Sequence, residues 1–88
     1  MNAIDLITQY QQNNAGMSNY LDHRLKQTQT AIQDAMLRKA EGELDWYTSN
    51  LYIARTLTEN TLKAIPHKSA IRDSIVAIYK AISEELNP

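Results

Sequence analysis

The chain has no cysteine. That excludes disulfides and thiolate chemistry, and it fits a reducing compartment. Phenylalanine is absent too, and Val76 is the one valine. Breakers are scarce: Gly16, Gly42, Pro66 and Pro88. No apolar run approaches the roughly 20 residues that a bilayer span requires. No cationic start leads into an apolar block, so a secretory leader is not expected. The expectation is a cytoplasmic chain that makes no membrane contact. An excess of one charge is also missing. Residues 1–42 carry four basic and four acidic side chains, and residues 43–88 carry five and six. Non-specific DNA binding relies on a one-sided basic balance, and a DNA mimic on an acidic one.

What remains is rich in Leu, Ile, Ala, Gln, Glu and Lys, all good helix residues. The 88 residues are expected to form a single all-α domain spanning 1–88. Between Met17 and Ile65 the larger apolar positions keep a helical beat. Its members are Leu21, Leu25, Thr28, Ile32, Met36, Ala40, Leu44, Tyr47, Leu51, Ala54, Thr58, Leu62 and Ile65. Only Gly42 interrupts it. The run is therefore either a hairpin folded at Gly42 or one helix over 18–65. The latter would be about 70 Å long and would have to pair with another chain.

Local signals favour the hairpin. Arg38 and Lys39 precede Gly42, while Glu43 and Asp45 follow it. Cations suit a helix C-terminus and anions an N-terminus. Glycine is the preferred residue just past a helix end. The two halves also differ in face. Residues 18–41 carry a narrow stripe, enough for one neighbour. Residues 43–65 carry an arc about half the wheel wide. One edge of that arc is Trp46, Ile53, Leu57 and Ala64; the other is Leu44, Tyr47, Leu51, Thr58, Leu62 and Ile65. An arc that wide calls for two neighbours, which makes 43–65 the expected central helix.

A short helix over 3–12 comes first, with Asn2 as its cap and Ala3, Ile4, Leu6, Ile7 and Tyr10 as its apolar side. Ten residues are marginal as an isolated helix, so it should dock on something, in its own chain or on a partner chain, and general loop lengths favour its own. Residues 11–16 read as a polar link, and Ser18 as the next cap. Ile65-Pro66 ends the third helix, because a residue before proline avoids helical angles. The last helix, 69–86, is capped by Ser69 and ridged by Ile71, Ile75, Ile78, Ile82 and Leu86. Its flank of Ala70, Ala77 and Ala81 permits close helix packing. The expected fold is thus a small bundle of three long helices (18–41, 43–65, 69–86) plus the short 3–12.

Residues for chemistry are few. His23 and His67 lack a helically spaced partner for a metal, and solvated roles suit both. Glu41, Glu43 and Asp45 match no calcium loop and are explained by the helix termini. Phosphate loops, nucleophile elbows and paired bundle carboxylates are absent. No catalytic residue, cofactor site or metal site is therefore predicted. A helix-turn-helix centred on Gly42 fits poorly. Arg38 stands where a small residue is usual, and Thr48 where a branched apolar one is.

Interaction surface is what is left. Tyr20, Leu37, Tyr52 and Val76 fall outside the stripes, and Trp46 joins them if the last helix packs on the Tyr47 edge. Aromatics are enriched at binding hot spots. The leading expectation is a non-enzymatic protein-binding module (a small inhibitor, adaptor or chaperone-like protein) that shows a helix face to a protein partner. A homodimer is also expected, because so small a core is marginal. Its contact would be the first helix or the alanine flank of the last. The alternative is a nucleic-acid-binding regulator of helix-turn-helix-like type.

Overall fold

A computed structural model describes residues 2–13, 19–66, 69 and 71–87. It contains four helices: α1 (Asn2–Asn13), α2 (Asn19–Ala40), α3 (Leu44–Ala64) and α4 (Ile71–Leu86). Among the described residues no strand is present. The expected caps Asn2 (its side chain) and Ser18, with His67 and Ala70, lie outside what is described. The boundaries differ from those read off the sequence by at most two residues, and the end of the last helix at Leu86 coincides.

The rod over 18–65 is overturned. Gly42 has a φ of +80°, a conformation that L side chains adopt only at a cost. Around it the chain makes the paired bonds of a Schellman turn. The Glu43 amide donates to the Arg38 carbonyl at 2.9 Å, and the Gly42 amide donates to the Lys39 carbonyl at 3.1 Å. These bonds satisfy carbonyls that a helix end leaves open. The apolar contact that often closes such a turn is replaced by charge. The Arg38 guanidinium lies 3.4 Å from both Glu41 and Glu43 carboxylates. The beat across the corner is broken in consequence. Ala40 and Leu44 are both exposed, because the chain turns away between them.

Other ends follow their local chemistry. Ile65 is extended, with φ −98° and ψ 133°, as a residue before proline should be. The Ser69 hydroxyl accepts the Ile71 amide at 3.3 Å, which satisfies one open donor at the start of α4. Arg72 then reaches back to donate to the Leu62 carbonyl at 3.0 Å and ties α4 to the end of α3.

The helices pack in a ring: α2 on α3, α3 on α4, α4 on α1, and α1 on α2. Every helix of the ring has two neighbours, so α2, expected from its narrow stripe to serve one, packs on both α3 and α1; α3 has the most extensive packing, as its wide arc leads one to expect. α1 docks within its own chain. Ala3, Ile7 and Tyr10 are buried with Leu21, Leu25 and Ile32 of α2, Ala54 of α3, and Ile75, Ile78 and Ile82 of α4. Three threonines share this interior because each has a partner one turn back. Thr28, Thr58 and Thr61 donate to the carbonyls of Arg24, Ala54 and Leu57 at 2.8–2.9 Å. A buried hydroxyl left without a partner would cost about 1–3 kcal/mol.

Candidate protein-docking face

The two edges of the α3 arc meet different fates. Leu51, Ala54, Thr58 and Ile65 are buried. Tyr47 is half-buried and turns its hydroxyl toward α4, where it donates to the Glu85 carboxylate at 2.9 Å. Burial, reinforced by that bond and the nearby negative charge, pushes its pKa up to about 12. Lys39 of α2 stands over the same ring at 5.2 Å. So α4 packs on the Tyr47 edge, and among the described residues no third helix covers the opposite edge. Trp46 is 61% exposed and Ile53 51% exposed, and Leu57 is half-buried.

This bare edge forms one wall of an open groove of about 450 Å³ between α2 and α3. Asn50, Ile53 and Leu57 line it from α3, and His23, Gln27, Thr30 and Ala31 from α2. Lys26 and Asp34 stand on the α2 wall as well. Helical phase extends the face toward the corner. Leu37 is three residues from Asp34 and seven from Thr30; Trp46 is four from Asn50 and seven from Ile53. Leu37 is exposed, and the Arg38 guanidinium stacks 5.9 Å from the Trp46 ring. At the other end Tyr20, seven residues before Gln27, continues the α2 wall and stacks on Arg24 at 5.3 Å. Charge on this face is modest. Lys26 pairs with Asp22 at 2.8 Å within α2, and both side chains are solvated. Such a pair contributes about 0–1 kcal/mol. Asp34 has no ion pair among the described residues.

Three of the five residues singled out from the sequence, Tyr20, Leu37 and Trp46, thus share one long face. Tyr52 does not. It follows Trp46 by six positions and precedes Ile53 by one, so it points about 100° away from Ile53, and it stacks on Arg55 at 4.9 Å. Val76 is half-buried on α4, which contributes nothing to the groove. Ile53, in the middle of the groove wall, was not among the residues singled out from the sequence. Its signal was visible as membership of the wider arc, since a narrow α2 stripe could not cover both edges. Leu44 is likewise exposed, at 60%, because the corner carries it past the end of α2.

Elsewhere, α3 and α4 enclose a second groove in which the Tyr79 hydroxyl donates to Glu59 at 3.1 Å. No group of three or more metal-ligating side chains occurs among the described residues. No described helix is long and apolar enough to cross a membrane. No protein-family model, curated protein or solved structure matches the chain.

Proposed function

We propose that this chain is a non-enzymatic protein-binding module, of the inhibitor, adaptor or chaperone-like kind, and that it works by presenting the α2–α3 face to a protein. One observation carries the reading. The edge that carries Trp46, Ile53 and Leu57 runs along about three turns of helix, with Asn50 between the first two, and no described helix covers Trp46 or Ile53. Contiguous apolar surface rimmed by polar groups is characteristic of docking sites. Tryptophan is the residue most enriched at binding hot spots. A groove between two helices accepts the apolar stripe of a third. The absence of cysteine suits work in the cytoplasm.

Affinity capture from the native host tests this. The wild-type chain should retain a partner that the Ile53→Asp and Trp46→Ala variants lose, with circular dichroism of all three alike. Equal capture by all three would sink the assignment of the face. A mobility shift with random DNA at low salt separates this reading from nucleic-acid binding. No shift at micromolar protein is expected.

A further inference from the structure

We infer that the α2–α3 face docks a second copy of this chain, packed about a two-fold axis that passes between Thr30 and Ile53. The inference rests on the protein-docking reading above and names its partner. Four observations lead to it. The first is charge placed symmetrically. On the α2 wall Lys26 lies four residues before Thr30 and Asp34 four after it. A two-fold axis at Thr30 sets two α2 helices antiparallel, so Lys26 of each copy meets Asp34 of the other. The contact occurs twice, as an isologous interface requires. Asp34 has no ion pair within its own chain among the described residues, and the Lys26 side chain is solvated, in an exposed pair with Asp22.

The second is the placing of the apolar groups. Thr30 lies twelve residues before Gly42 and Ile53 eleven after it, so the two are level across the hairpin. Ile53 therefore stands beside the axis and meets its own equivalent. Trp46 and Leu57 flank it along α3. The third is size. α2, with 22 residues, is about 33 Å long, and two adjacent helices present a strip about 20 Å wide. Covering that strip removes on the order of 1,300 Å² from water over both copies, within the usual range for a stable interface. The fourth is low repulsion, because each chain carries a net charge of only −1. Of the other surfaces expected at a dimer contact, α1 packs on α4, Ala81 is buried and Ala77 is half-buried.

Sedimentation equilibrium of the full chain tests the inference. The wild type should sediment at twice its 10.0 kDa chain mass at about 50 μM, a concentration that reports any dimer of micromolar Kd. Ile53→Asp, on an exposed position, should keep its helicity and raise the Kd about 100-fold. Lys26→Glu and Asp34→Lys should each weaken the dimer about tenfold. The double variant Lys26→Glu/Asp34→Lys should return to within about threefold of wild type, because both contacts are rebuilt with signs exchanged. A wild type that is monomeric at about 100 μM overturns the inference. So does a dimer indifferent to Ile53→Asp, or a double variant no tighter than the single ones. A monomer that still captures a host protein in an Ile53-dependent way overturns the second copy and leaves the docking reading standing. A dimer rescued by the charge exchange, with no host protein captured, does the reverse for a foreign partner.

Discussion

The two long edges of α3 are built from similar residues, yet past Leu44 one packs inward while the other leaves Trp46 and Ile53 at the surface. Leu51 and Ala54 are fully buried, while Ile53, between them in sequence, is half out in solvent. The difference comes from the neighbours. α4 settles on the Tyr47 edge, anchored by the bond to Glu85 and by Arg72 reaching the Leu62 carbonyl. α2 has a narrow stripe and covers only the middle of the arc. An amphipathic pattern therefore states how much of a helix can be buried, and the number of available neighbours states how much is.

The sharpest break in this comparison comes from cutting each edge in turn. Leu51→Ala should lower unfolding stability by about 3 kcal/mol through lost burial and a cavity. Ile53→Ala should change the stability of the separate chain by less than about 0.5 kcal/mol, as exposed sites do. Urea denaturation at low micromolar concentration measures both. Equal losses would show that the outer edge belongs to the core.

Next in size is the corner that puts the two walls side by side. Gly42→Ala should cost about 1 kcal/mol in thermal or urea unfolding, because its φ is positive. A new Cβ would meet nothing within 4 Å, so the loss is backbone strain alone. A stabilised variant would instead indicate a continuous helix.

The anchor on the inner edge should show a comparable but pH-dependent effect. Tyr47→Phe removes the hydroxyl bond to Glu85 and should cost about 1 kcal/mol near neutrality. The folded pKa of Tyr47 is raised from 10.0 to about 12. Its contribution is therefore complete below pH 10 and is lost as the pH climbs toward 12. Stability measured across that window should fall less steeply in Tyr47→Phe than in the wild type. Identical slopes would mean that the bond is not what holds α4 to this edge.

The smallest effect concerns the bare edge itself. Arg38→Ala removes the stack on Trp46 and the ion pairs with Glu41 and Glu43, and should cost about 0.5 kcal/mol or less. Trp46 fluorescence should be readily quenched by acrylamide in dilute wild-type protein, and more so in this variant. A strongly shielded indole in dilute protein would contradict an open face.

Much of this architecture can be read from local chemistry. Gly42, with cations before it and anions after it, fixes the corner. Ile65-Pro66 and Ser69 fix the end of α3 and the start of α4. The apolar phase of each helix identifies its inward residues, including Thr28 and Thr58. The proposed docking face was only partly legible. Leu37 and Tyr20 stood out as apolar residues left over from the stripes, and Trp46 on the condition that the last helix took the Tyr47 edge, but Tyr52 and Val76 stood out too, and neither lies on the groove. Ile53 and Leu57 read as core because they belong to the same arc as Leu51. The arc does not say which of its edges will find a partner.

The sequence by itself determined where the helices begin and end and which sides of them prefer to be dry. Those preferences act over one or two turns, through caps, backbone angles and side-chain phase. Only the tertiary structure decided that α4 would lie along the Tyr47 edge and α1 would join the ring between α4 and α2. It also left Trp46 and Ile53 bare. That choice depends on contacts such as Tyr47 to Glu85, 38 residues apart. Such contacts exist only once competing packings have been weighed against each other, and no local pattern encodes their outcome.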